Sequence, residues 1–288
     1  MTTNEAPFVD ALLESTIKDI GIPPRPLILE RFRIEIQQEE PDFNRISDMV
    51  SSDVALAAGL ISTANSPYFG IPSHVGSVRE ALMVLGLDVA SRAVACIMLR
   101  KTFPQSPHME RFWDASARIA RLSGWLAQRY TRSILNADEA YTYGLFRDCG
   151  IAILLARVPG YEAMLREANH DTARSFTAVE DAKLPTNHAI VGCMLAQSWW
   201  LPDEISLAIR HHHEASALES ISANIPPSSC QQIAVAQFAE YLLQQHSGFS
   251  YTEEWVKLGP ACLRLLGIDE KDVKDILAEA IPVIQIED

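Results

Sequence analysis

The stretch 143-YGLFRDCGIAIL-154 decides how this chain is read. Apolar residues flank an adjacent Arg147 and Asp148, and nothing but glycine interrupts them. The spacing therefore predicts one helix over 138–157 that carries a cation and an anion into its packed surface. A charged pair in such a place is either chemistry or the remnant of it, because burying charge without a purpose is costly.

Outward from this stretch the pattern barely changes. Apolar residues recur at spacings of three and four, while alternating Val/Ile/Thr runs bounded by turns are scarce, so the expected class is all-α. Helices are predicted at about 54–65, from Ser77 to a stop at Gly86, onward from about 88, and at about 110–130, 160–169, 176–181, 187–199, 203–214, 229–246 and 252–265. Ser52 or Asp53 caps the first of these, and Pro67 forces an exit after it. Ser77 and Glu80 have capping-box spacing. The stretch 102-TFPQSPHME-110 carries two prolines and little apolar content. It places a boundary near residue 105, between an N-terminal helical lobe (1–105) and a C-terminal one (106–288).

Composition sets the outer limits. With 288 residues and 48% hydrophobic content the chain can bury a substantial core. A formal net charge of −13 repels phosphate-rich partners at long range, so nucleic acid is not an expected partner. The segment from Ser77 to Arg100 has a helix-turn-helix shape. However, Ala90, Ala93, Val94 and Ile97 stand where a DNA reader needs polar side chains. The five cysteines are scattered with no CxxC pair, which excludes a zinc knuckle and suits a reducing compartment. The opening MTTNEAPFVD lacks a basic region followed by an apolar one, and no uninterrupted run approaches the roughly 20 apolar residues of a membrane helix. A cytoplasmic location without membrane contact is expected.

The inward-facing polar residues come next. Phe112, Ala115, Ile119, Leu122 and Leu126 form one stripe, so Ala115 faces the interior near its helix start. His188 shares a face with Val191, Leu195 and Trp199 and points inward from a first turn. The stripe of Ile205, Ala208 and Ile209 continues to His212 with His213 at its margin, while His211 faces away. Each histidine alone is read more economically as bonding a backbone carbonyl or complementing a helix dipole than as a ligand.

Taken together, IPPRPLILERF, ISDMVSSDVALAAGLISTANSPYFG and SVREALMVLGLDVA, followed by FWDASARIA, YGLFRDCGIAIL, HAIVGCMLAQSWWLPDEI and AIRHHHE, resemble the HDOD family. That family is a regulatory relative of the HD phosphohydrolases, and the likeness runs from about Ile22 to Leu243. It implies a two-lobed multi-helical fold with an HD-like helical core in the C-terminal lobe. Asn65, Tyr68 and Phe69 fall in the family's signature loop, and Gly86 at a signature position.

In the related enzymes a histidine, a His-Asp pair and a distant aspartate hold one or two divalent metals. The resemblance puts these on Ala115, Arg147 with Asp148, and Gln237. Alanine offers no donor, arginine cannot give up its proton to bind a cation, and glutamine removes a charge. The site is therefore expected to be vestigial, with no catalytic residue and no cofactor. Asp148, His188, His212 and His213 leave room for an adventitious divalent ion, and Arg147 is expected to pair with Asp148 in the metal's stead. With Arg147 they form a degenerate pocket. The implied function is a non-catalytic bacterial signalling module that binds a partner protein, such as a cyclic-dinucleotide enzyme or a two-component protein. Tyr68, Phe69 and the Trp-Trp pair of SWWLP (198–202) are candidate contacts, although Trp199 continues a core stripe and one of Tyr68 and Phe69 is expected to plug the cleft between lobes. A rearranged metal-dependent phosphohydrolase and a nucleotide-sensing module are the alternatives.

Overall fold

A computed structural model describes residues 20–71, 74–103, 106–131, 135–219, 225–248 and 251–285. Among the described residues there is no strand. The chain opens with α1 (Leu27–Ile36), α2 (Phe43–Ser51) and α3 (Val54–Ala64). Asp53 caps α3, its Oδ1 accepting from the backbone of Ala55 at 3.0 Å and Leu56 at 3.2 Å. Asn65 then closes the loop that follows, donating from Nδ2 to the Val75 carbonyl and accepting from the Val75 amide, both at 2.8 Å.

Helix α4 (Val78–Thr102) is capped by Ser77 and broken inside by Gly86, at φ 72 and ψ 162. Only glycine adopts that conformation without strain, so the stop expected at this position is real and divides the run into two arms. By length and composition α4 could cross a membrane. Its two arms nevertheless bury Leu82, Leu85, Ala90, Val94 and Leu99 inside the protein, which also removes Ala90 and Val94 from any role at a DNA groove.

The remaining helices are α5 (Pro107–Tyr130), α6 (Ala137–Phe146), α7 (Cys149–Arg157), α8 (Tyr161–His170), α9 (Phe176–Asp181), α10 (His188–Ser198), α11 (Asp203–His211), α12 (Ala215–Glu219), α13 (Pro227–Ser247), α14 (Glu254–Leu266) and α15 (Val273–Ile284). The expected boundary near residue 105 falls on Pro104 and Gln105, outside the described residues. One cluster of buried apolar side chains runs from Ile22 on the N-terminal side to Ile284 in α15.

Two sets of aromatics join the N-terminal helices to the rest. Tyr68 stacks on Tyr141 of α6, ring centroids 4.9 Å apart, and donates from its hydroxyl to Asp138 at 3.3 Å; Phe69 tilts against the same Tyr141. Trp199 is buried and donates from Nε1 to the Pro23 carbonyl at 3.1 Å. Trp200 remains exposed, with the Arg25 and Arg33 guanidinium carbons 3.2 and 4.0 Å from its ring centroid. Its φ of 61 is positive, a conformation in which a tryptophan is strained.

Two sequence expectations need correction. The single helix predicted over 138–157 is two, because Asp148 has φ −104 and ψ 14 and the chain turns between Phe146 and Cys149. Periodicity could not show this, since the apolar spacing continues across the break. The helix predicted over 203–214 stops at His211, with His212 and His213 in the turn beyond it.

Candidate functional site

The turn between α6 and α7 places Arg147 and Asp148 side by side facing the middle of the protein. It is held there by close backbone packing. A Cβ on Gly150 would lie 2.0 Å from the His188 carbonyl oxygen and 2.8 Å from the Gly192 amide, so α7 and α10 meet at a distance only glycine allows. This contact brings the first turn of α10, and with it His188, against Asp148.

Four expected residues converge. His188 Nε2 lies 3.2 Å from His212 Nε2 and 3.1 Å from His213 Nε2. Asp148 Oδ1 is 3.3 Å from His212 Nε2 and 3.9 Å from His188 Nε2. All three histidines are buried, and their remaining ring nitrogens are tied down. His188 Nδ1 binds Glu180 at 2.7 Å, His212 Nδ1 the Ile209 carbonyl at 2.7 Å, and His213 Nδ1 Glu254 at 2.6 Å. The end of α11 explains why both adjacent histidines point inward: they occupy a turn, where successive side chains need not diverge by a helical step. His211, still on the helix, pairs with Glu214 outside the cluster, as expected.

Arg147 pairs with Asp148 as expected, Nε to Oδ2 at 3.1 Å. It also binds Glu240 through Nη2 at 2.9 Å and donates from Nη1 to the Ala236 carbonyl at 3.3 Å. Gln237 donates to the same Glu240 at 3.1 Å. The negative charge that glutamine removes at position 237 thus returns one helical turn later on α13. Ala115 lines the cavity beside this pair, together with Arg147, Asp148, His213 and Glu240 at its floor and Phe112, Leu165 and Phe176 on its walls. The cavity has a volume of about 800 Å³. Asn65, Tyr68 and Phe69 take no part in the cluster; they form the loop that meets α6.

The electrostatics follow from burial working against close partners. Burial alone would raise the Asp148 carboxyl, but Arg147, and then His212 and His188, hold it well below the carboxylate range. Burial opposes charge on His188, yet the Glu180 carboxylate outweighs it and raises the imidazole. Burial and the neighbouring His213 push His212 down to about 3. Burial raises Glu240 above the usual carboxylate value despite Arg147.

The residues the sequence did not single out are Glu180, Glu240, Glu254 and Tyr161, whose hydroxyl donates to Glu180. Only Glu240 left a usable signal. It follows Gln237 by three, on the same face of a helix whose apolar residues surround it on every side.

Tested against a divalent ion, the two halves of this centre differ. On the Ala115, Arg147 and Gln237 side the donors are missing and a fixed cation stands in the way. On the Asp148, His188, His212 and His213 side, four nitrogen and oxygen donors lie within 4.8 Å of one another, a set that suits a divalent transition ion.

The helical scaffold around this centre has relatives. The HDOD domain model matches residues 22–215, and the chain belongs to that family. A 1.90 Å structure of an HDOD domain protein of unknown function from Geobacter sulfurreducens is 24% identical, with a TM-score of 0.66 and 96% of each chain covered. A Shewanella amazonensis SB2B protein named as a candidate phosphohydrolase is 20% identical, with a TM-score of 0.68 over 94% of this chain and 95% of that one. A Marinobacter aquaeolei VT8 protein named as a candidate signal transduction protein is 21% identical, with a TM-score of 0.61 over 93% of this chain and 59% of that one. At these identities the likeness is one of fold. An uncharacterized protein of Treponema pallidum (strain Nichols) is 26% identical over 194 residues, and the match spans 37% of its length.

Proposed function

We propose that this chain is a regulatory module of bacterial signal transduction that acts by binding a partner protein and performs no hydrolysis. The observation that carries the reading is the Arg147 guanidinium, held between Asp148 and Glu240 where an HD hydrolase places a metal-binding histidine. With Ala115 and Gln237 at the other ligand positions, no second ion can be held there to activate water or clamp a phosphoester between two metals. Membership of a regulatory family and the signal-transduction name of the Marinobacter structure support the same reading.

The test is a generic phosphodiester and phosphomonoester screen of the full chain with Mn²⁺. The expected result is no turnover above the metal-only blank. Metal-dependent hydrolysis that Asp148→Ala abolishes would replace this reading with the hydrolase one. That second reading has one observation in its favour, the convergence of three imidazoles and a carboxylate, of which Asp148 and His213 line a cavity of about 800 Å³.

A further inference from the structure

We infer that the cavity of about 800 Å³ beside Arg147 binds an amphipathic organic monoanion, its apolar body between α5, α7 and α8 and its negative group at Arg111 and Arg166. Bound there, such a molecule is an input to the module. For that role the inference rests on the regulatory reading above; for the chemistry of the cavity it does not.

The walls come first. Phe112 of α5, Ile151 and Leu155 of α7 and Leu165 of α8 line the cavity and pack against the core, yet each is only partly buried. Ile151 and Leu155 stand four apart, on one face of α7. Apolar surface left to water inside the fold is what a ligand's apolar body covers, and the volume lies within the roughly 300–1,000 Å³ of small-molecule sites. Ala115 adds only a methyl group to this lining.

Charge then sets the ligand's direction. At the floor the Arg147 guanidinium is fully engaged, with Asp148 at 3.1 Å, Glu240 at 2.9 Å and the Ala236 carbonyl at 3.3 Å. Its charge is met by two carboxylates, so the floor has no surplus positive charge to offer a phosphate group. The mouth differs. Of the charged residues there, Asp114 is neutralised by Arg118, whose Nε reaches its two carboxylate oxygens at 3.1 and 3.0 Å. Arg111 donates to the His108 ring at 2.9 Å, a neutral acceptor. Among the described residues neither Arg111 nor Arg166 forms an ion pair with a carboxylate, and both are exposed at the rim. Only Glu162 opposes these two cations there, on a chain whose formal net charge is −13. A single negative charge with an apolar body behind it matches this order of mouth and wall. A polyanion does not, because its further charges would meet Glu162 or the carboxylates of the floor.

Fluorescence titration of the full chain with anilinonaphthalene sulfonate, an aromatic monoanion, should saturate at one probe per molecule. Dodecanoate below its micellar concentration should displace the probe, and dodecanol and ATP should do so far less well. The double variant Arg111→Gln, Arg166→Gln should bind dodecanoate about 10-fold more weakly, the sum of two exposed charge contacts, with little change toward dodecanol. Ala115→Phe, which fills the cavity from α5, should abolish saturable binding while keeping the helical circular dichroism of the wild type. Should that variant fail to fold, the wild-type chain supplies the readout: dodecanoate should raise its thermal midpoint and dodecanol should not. No saturable binding together with no thermal shift would overturn the inference. Equal displacement by dodecanol would overturn the anion-selective mouth, and displacement by ATP as effective as by dodecanoate would replace the monoanion with a phosphate ligand. The phosphoester screen reads the non-hydrolytic role separately, so either claim can fail alone.

Discussion

The carboxylate of Glu240 binds the guanidinium of Arg147 at 2.9 Å across a sequence separation of 93 residues, and both side chains are buried. The pair joins the α6–α7 turn to α13 and gives Arg147 a second anion beyond Asp148. Breaking a buried ion pair by removing one partner costs roughly 3–5 kcal/mol, because the other charge stays behind uncompensated. Glu240→Ala should therefore lower the stability to chemical denaturant by about that much. The same substitution in an Arg147→Met background should cost far less, and equal costs in the two backgrounds would show the pair to be energetically idle.

Gly150 sets the distance between α7 and α10. The atoms its Cβ would meet are backbone, which cannot swing aside as a flexible side chain does. Gly150→Ala should destabilise the protein by about 1–3 kcal/mol or more, the range of an overpacked core. It should also spread Asp148 and His188 apart. Calorimetry tests the first consequence, and a crystal structure of the variant tests the second.

Trp200 carries two opposing effects. Its ring lies against Arg25 and Arg33, contacts worth about 0.5–1 kcal/mol each at exposed sites, while its left-handed backbone costs roughly 1–2 kcal/mol. Trp200→Ala loses the contacts and keeps most of the strain. Trp200→Gly loses the contacts and sheds the strain. The glycine variant should be the more stable of the two by about 1 kcal/mol in urea unfolding, and a less stable glycine variant would contradict the strain.

Asp53 supplies a pH dependence well away from the histidines. Its hydrogen bond from Lys101, together with those from the amides of Leu56 and Ala55, holds the carboxyl below the ordinary aspartate value of 3.8. A depressed folded-state value means the stabilisation is complete above 3.8 and is lost as pH falls through that value toward the folded one. Asp53→Asn should therefore be less stable than wild type at about pH 7, and the gap should close under acid. A gap that stays constant with pH would assign the effect to the cap geometry alone.

The fold was legible because helix spacing is a local property. The stripes through Ile119, Leu122 and Leu126, and through Ile205, Ala208 and Ile209, are buried as their three- and four-residue spacing requires. His188 and His212 could be nominated for the same reason, since each continues an apolar stripe, with His213 at the margin of the second; Asp148 was nominated by the resemblance. Their mutual geometry could not, since it depends on a break at Asp148 that leaves the apolar rhythm intact. Glu180 and Glu254 were hidden for another reason. In sequence a buried glutamate next to polar residues looks like any solvated one, and only the fold shows that each faces an imidazole.

Among the described residues a single cluster of buried apolar side chains contains both Ile22 and Ile284. Its consequence is thermodynamic linkage between the two ends of the molecule. Free energy gained at the floor of the cavity stabilises the whole cooperative unit, α1 to α3 included. The slowest-exchanging amides near Phe32 and Leu60 should therefore report on events around His188 that they never touch.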